Sequence, residues 1–172
     1  MQIIPILHNI RSTYNVGAIL RTAEGFGCKE VIFSGYTPFP GTTPNTLPHI
    51  SEKITRQIAK TALGAESLLT CIYLNDLPTP TNLPLQAPII ALENNIKDPR
   101  LHPLSEIKTA LSASEPLETP KIAYLLLGEE VSGIDPALYP YITLFAEIPM
   151  SGQKESFNVS VAAGIALYEL TK

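Results

Sequence analysis

The chain has no hydrophobic run near the roughly 20 residues that a bilayer-crossing helix requires, and it has no basic excess. Only 12 of its 172 residues are Lys or Arg against 16 Asp or Glu, a formal net charge of −4 with a pI near 5.4. Proteins that hold nucleic acid by broad electrostatic attraction carry a basic face, so any phosphate contact here must come from a small local cluster. Cysteine is scarce as well. Cys28 and Cys71 lie far apart and form neither a CxxC pair nor a Cys/His set, which excludes a disulfide scaffold or a zinc ribbon. Two buried free thiols and a cytoplasmic location are expected instead. No signal-peptide pattern precedes the first strand-like run, and no repeat or low-complexity tail is present. His8, His49 and His102 read as loop or surface residues, none with a metal or triad partner by spacing.

What is present is an ordinary globular pattern. The length suits a single domain with a real core, and a mean hydropathy of +0.15 hints at apolar surface covered by a partner. Met1 to Leu7, Glu30 to Ser34, Ser67 to Leu74, Ala87 to Leu92, Ile122 to Leu127 and Tyr141 to Glu147 read as buried strands. Val16, Ile19, Leu20, Ala23 and Phe26 recur at helical spacing, with Gly27 as a C-terminal stop. Ser51 to Thr61 and Ser156 to Leu170 also read as helices. Proline-rich loops fill 35–48 and 75–88, and a polar insertion at 93–121 has room for a short helix near Ser105 to Ala113. Strands alternating with helices predict an α/β fold, a mainly parallel sheet flanked by helices and covered on both faces. A single domain spanning 1–172, with no additional RNA-binding domain, is expected.

Polar residues and glycines gather in three places, each after a strand, where open parallel sheets bind ligands. The first is Asn9, Asn15, Gly17 and Arg21. Arg21 is placed in the first or second turn of its helix, where it either reaches an anion or points to solvent. The second is LLLGEEVSGID, 125–135. Its two glycines permit close backbone approach to a nucleotide-like ligand; an ordinary turn capped by Asp135 before Pro136 explains the same residues. The third is IPMSGQKESFNVS, 148–160. Ser156 is expected as the helix N-cap, which leaves Asn158 unexplained.

Together these stretches resemble the SpoU (TrmH-like) branch of the SPOUT superfamily, the RNA ribose 2′-O-methyltransferases. Asn15-Val-Gly-Ala-Ile-Leu-Arg21 with Phe26-Gly27 is similar to the family's first motif. Leu127-Gly128-Glu129-Glu130 with Gly133 is similar to the second, and Ile148-Pro149-Met150 with Gly152 and Ser156-Phe157-Asn158-Val-Ser160 to the third. The resemblance runs from the first strand to the last helix. It implies a deep C-terminal trefoil knot (a topology otherwise nearly absent from proteins), S-adenosyl-L-methionine as cofactor, and a homodimer packed through the knot region. Leu92, Gly128, Ile148, Ser156 and Phe157 stand at the cofactor-contacting positions, Phe157 where Leu or Met is usual. Asn15, Arg21, Glu130, Ser156 and Asn158 stand at the catalytic ones, with Glu130 as the implied ion-pair partner of Arg21.

The reaction so implied joins a weak nucleophile, a ribose 2′-hydroxyl, to a sulfonium methyl group, and needs in-line alignment and removal of a proton. Arginine stays protonated in proteins, so Arg21 acts on this reading either as a base assisted by an RNA phosphate or as a stabiliser of phosphate and alkoxide. The substrate implied is a structured RNA, tRNA or rRNA. Lys29, Lys53, Arg56 and Lys60 suggest an RNA-facing patch, though a solvated helix face explains three of them equally well. Two alternatives remain: a catalytically inactive knotted module that binds cofactor or RNA, and a flavodoxin-like nucleotide-binding domain. The second expects a glycine-rich loop after the first strand, where NIRSTYNVGA has one glycine.

Overall fold

The computed structural model describes residues 1–43, 46–114 and 121–172. Among these residues seven strands form one sheet: β1 (Gln2–His8), β2 (Glu30–Ser34), β3 (Thr70–Leu74), β4 (Ile89–Leu92), β5 (Leu101–Pro103), β6 (Ile122–Leu127) and β7 (Leu144–Glu147). Their spatial order is β3-β2-β1-β6-β4-β7-β5, and every pairing is parallel. β1 pairs with β6 over Gln2 to Leu7, but its ladder to β2 begins only at Ile6, just after Pro5, which has no N–H to give. The later strands do not extend the sheet outward. β6 enters between β1 and β4, and β7 between β4 and β5.

Four α-helices among the described residues accompany the sheet: α1 (Thr13–Gly25), α2 (Pro48–Ala62), α3 (Ile107–Ser114) and α4 (Val159–Thr171). All of them bury side chains in the same core, with Val16, Ile19, Ile58, Leu111, Ala163 and Leu167 against one face of the sheet. The other face is closed by Leu138 and Ile142 at a 3-10 helix (Pro136–Tyr141), by Ile134 and by Leu83 of the proline-rich segment. Both faces are thus covered, as expected, one by the α-helices and the other by these short segments. Leu, Ile and Val presented by short irregular segments remove apolar area from water as effectively as a helix does.

α1 lies between α2 and α4. A methyl group at Gly17 would overlap Thr61 Oγ1 and the Ile58 carbonyl, so this glycine lets the two backbones touch. Several boundaries differ from expectation. Residues 65–67 make a 3-10 turn and β3 starts at Thr70; residues 136–141 make a 3-10 helix containing Pro140, so β7 starts at Leu144. α2 begins at Pro48, an N1 proline with no N–H to waste. α4 begins at Val159, because Asn158 and not Ser156 is its N-cap, accepting from Ser160 N at 2.9 Å. Within 93–121 the structure adds β5, and its described part carries α3 at Ile107–Ser114; residues 115–120 lie outside the described residues. Arg100 ties that segment down, pairing with Asp98 at 2.7 Å, donating to the carbonyls of Tyr139 and Ile142, and lying 5.0 Å over the Phe145 ring.

Candidate functional site

A cavity of about 340 Å³ opens at the carboxyl ends of β4, β6 and β7, beside the place where β6 interrupts the sheet order, as expected for an open parallel sheet. Its apolar wall includes Leu92, Leu127, Ile148 and Phe157. Gly128 and Ser156 also line it, so all five positions expected to contact a cofactor are on one cavity. Glu93, Glu129, Glu130 and Glu155 line it too, and none of its lining residues is Lys or Arg.

The walls are held by backbone. After β6 the chain doubles back, Glu129 and Gly133 exchanging hydrogen bonds of 3.0 and 2.9 Å. A Cβ at Gly128 would overlap the Gly133 peptide, so only glycine allows this closure. Inside the turn Glu129 Oε2 accepts from Ser132 N, Ser132 Oγ and Val131 N. Those hydrogen bonds, Ser132 first, hold its carboxyl below the usual range against the effect of burial. From the β4 end, Glu93 accepts from Ile134 N at 2.9 Å, and the Asn94 amide bonds both N and O of Ile148 at 3.2 and 3.0 Å. Asn95 Nδ2 donates to the Glu155 carbonyl at 3.3 Å. Sequence reasoning misses Glu93, Asn94 and Asn95. The polar triplet directly after a buried strand is the available signal.

Three of the expected catalytic residues meet beside this cavity. Glu130 accepts from Asn15 Nδ2 at 2.9 Å, and Asn158 Nδ2 donates to Asn15 Oδ1 at 3.2 Å. Asn158 Oδ1 in turn accepts from Ser160 N and Oγ. One side-chain chain thus links the starts of α1 and α4 to the turn after β6. Glu130 also accepts the backbone N–H groups of Arg11 and Ser12 at 2.9 and 3.3 Å. Burial alone would raise its carboxyl, but these donors outweigh burial and hold it below the usual range.

Arg21 is elsewhere, and the expected Glu130–Arg21 ion pair is not formed. Glu130 is taken up by the N-terminus of α1, while Arg21 falls in the third turn and is exposed. Asn15 and Arg21 are six residues apart, about 120° around the helix. Among the described residues Arg21 has no ion pair; the arginine that reaches the acidic turn is Arg11, 3.5 Å from Glu129. His8 also departs from expectation. It closes β1, is 3% exposed, and lies 2.8 Å from Ser34 Oγ. Burial pushes its imidazole pKa down, outweighing Asp135 3.9 Å away. Among the described residues no group of His, Cys, Asp and Glu is arranged to hold a metal ion, and no helix is long and apolar enough to cross a membrane.

Comparison with known proteins agrees with this geometry. The model of the SpoU rRNA Methylase family matches residues 2–168. The 23S rRNA (guanosine-2′-O-)-methyltransferase RlmB of Xylella fastidiosa is 29% identical over 168 residues, covering 97% of this chain and 57% of that protein. RlmB of Coxiella burnetii is 28% identical over 167 residues, with the same coverage of 97% and 57%. The chain thus spans a little over half the length of these relatives. Among solved structures, an AdoMet-bound rRNA methyltransferase from Sinorhizobium meliloti superposes with a TM-score of 0.75 at 21% identity, covering 98% of this chain and 55% of that one. The SpoU methyltransferase AviRb from Streptomyces viridochromogenes gives 0.68 at 17% identity, covering 99% and 58%. At these identities the structural likeness is one of fold.

Proposed function

The chain belongs to the SpoU rRNA methylase family, and from that membership and the site we propose that it methylates a ribose 2′-hydroxyl of rRNA or tRNA, using S-adenosylmethionine. The observation that carries this reading is the Glu130–Asn15–Asn158 chain, which joins all three motif stretches at the edge of one cavity.

The cavity suits the cofactor in size and charge. Its volume lies at the lower end of the range for small-molecule sites, its apolar wall suits an adenine, and four glutamates with no Lys or Arg in the lining suit a ligand carrying sulfonium and ammonium charges. When bound, S-adenosylmethionine supplies an electrophilic methyl group. The protein then has to hold and activate the ribose. Leu92, Gly128, Ile148, Ser156 and Phe157 border the cofactor, and Asn15, Glu130, Ser156 and Asn158 shape the place where the hydroxyl enters. Arg21, always protonated, holds an RNA phosphate and stabilises the developing alkoxide.

Arg21 faces away from its own cavity, so this role calls for a second copy of the chain. We propose a homodimer packed through the knot region. An exposed apolar stripe supports it: Val161, Ile165 and Tyr168 on α4 are 50%, 37% and 57% exposed, and Phe26 from the end of α1 packs 6.1 Å from Tyr168. The insertion of β6 and β7 between other strands, with Asn95 and Asn15 gripping residues 155–158, supports a C-terminal segment threaded as a trefoil knot. Unpaired Cys28 and Cys71 suit work in the reducing cytoplasm.

The test is to incubate the protein with methyl-labelled S-adenosylmethionine and RNA from a strain lacking the gene, beside Arg21→Ala. Labelled 2′-O-methyl nucleotides from the wild type alone are expected. Cofactor binding by calorimetry with no label in any RNA refutes the enzyme and leaves a binding module.

A further inference from the structure

A second cavity, of about 270 Å³, lies at the carboxyl ends of β2 and β3, between the loop after β2 and the first turns of α2. None of the motif residues lines it. We propose that it receives one unpaired nucleobase of the RNA, with the flanking phosphates carried on the basic face of α2. The inference rests on the RNA-methylating function proposed above.

The wall of the cavity is aromatic. Tyr36, Phe39 and Tyr73 line it, the ring of Phe39 standing edge-on to Tyr73 at 5.6 Å and to buried Phe33 at 5.2 Å. Unstacked RNA bases are held on such side chains, which supply flat apolar area and tolerate base identity. Tyr36 is 59% exposed, so its ring is open to a stacking partner. Its backbone is held in place. Its N–H donates to Asn9 Oδ1 at 3.2 Å, and a Cβ at Gly35, whose φ is +64°, would overlap that same oxygen. Thr37 Oγ1 pins the next residue to β1, donating to the Leu7 carbonyl at 2.9 Å and accepting from Ile10 N at 3.1 Å.

One hydrogen-bonding group on this wall is unspent. Ser51, in the first turns of α2, is 3% exposed, and its hydroxyl has no partner among the described residues. A buried hydroxyl left unmatched is costly, and a base edge offers both donors and acceptors.

The charge distribution supplies the second, independent observation. Residues 1–62 carry six Lys or Arg against three Glu, although the whole chain is at −4. Lys53, Arg56 and Lys60 recur at i, i+3 and i+7 on α2 and are all exposed, forming one stripe. Among the described residues Glu52 alone pairs with it, 3.8 Å from Arg56. Ser51 and Ile54 of the same helix line the cavity, so stripe and cavity are two faces of one element. Asn9, which holds Tyr36 N, also lies 3.1 Å from His8 Nε2, and His8 lies 3.9 Å from Asp135, which sets this cavity next to the segment that follows the turn bordering the first one. A strand of RNA reaches both.

The test uses single-stranded RNA 12-mers carrying 5-iodouridine, cross-linked to the full protein by long-wavelength ultraviolet light and mapped by mass spectrometry. Cross-links on Tyr36, Phe39 or Tyr73 are expected. Tyr36→Ala, which empties no core, weakens binding of the same RNA roughly 5- to 150-fold. Lys53→Ala with Arg56→Ala lowers the slope of log affinity against log salt by about 1.4. Affinity for S-adenosylmethionine stays unchanged in both. Cross-links confined to other residues, or wild-type RNA affinity in Tyr36→Ala, overturn the inference. If the wild type methylates RNA yet gives no cross-link here, this inference falls and the function stands. Cross-links here without methyl transfer keep the base-binding cavity and remove the enzyme.

Discussion

Glu130→Gln isolates the junction on which the site is built. In the wild type both carboxylate oxygens face donors only: Arg11 N on one, Ser12 N and Asn15 Nδ2 on the other. A glutamine keeps one acceptor and turns the other into a donor that faces a donor. Asn15 cannot rotate to compensate, because its own oxygen accepts from Asn158. The loss is one hydrogen bond to a charged group, about 1.5–3 kcal/mol, together with the carboxylate's favourable placement at the start of α1, about 0.3–1 kcal/mol. Removing a half-buried charge returns part of this, leaving a destabilisation of about 2 kcal/mol. With a urea slope of roughly 2 kcal/mol per molar, the midpoint drops by about 1 M at pH 7.

The pH dependence follows from the direction of the shift. The folded-state pKa of Glu130 is depressed, so its contribution is complete above the unfolded carboxyl value of about 4.3 and is lost as pH falls through the lower folded value. The gap between wild type and variant must therefore be full at pH 7 and close progressively below about pH 4. Urea titrations followed by circular dichroism at pH 7, 5 and 3 measure it. Equal midpoints at pH 7, or a gap that persists unchanged to pH 3, refute the reasoning.

Two further outcomes are expected. Co-purified Arg21→Ala and Asn158→Ala chains recover about a quarter of wild-type methyl transfer, since random pairing makes half the dimers mixed and each mixed dimer holds one intact site; no recovery means that each site is built within one chain. Burial pushes the thiols of Cys28 and Cys71 up to about 11, so at pH 8 Cys28 does not react with a disulfide reagent until guanidinium unfolds the chain. Cys71, half-buried and not fully buried as expected, reacts more slowly than a free thiol. Prompt titration of both thiols in the native protein contradicts their placement.

Much of the scaffold is legible in the sequence because short apolar runs announce β1, β2, β4 and β6, and Val16, Ile19, Leu20 and Ala23 announce the buried face of α1. β5 is not. Three residues, one of them proline, carry no periodicity, and the strand exists only because β7 offers an edge. The helix start at Asn158 is hidden by Ser156, an equally good cap two residues earlier, and the choice is made by Asn15 across the molecule. Arg21 illustrates a different limit. Motif order brings it into the candidate site, but a helix presents residues by angle, and six positions turn it from Glu130 to solvent.

The bond between Asn15 and Asn158 spans 143 positions of the chain. At a synthesis rate of 5–20 residues per second, Asn15 waits about 7 to 29 s after its own incorporation before its partner exists. Throughout that interval α1 can pack on β1 and β2, yet its polar N-terminal side has no Glu130 for most of the time and no α4 to lie against. The junction at Asn15 therefore closes only after Glu130 and the start of α4 have both been made.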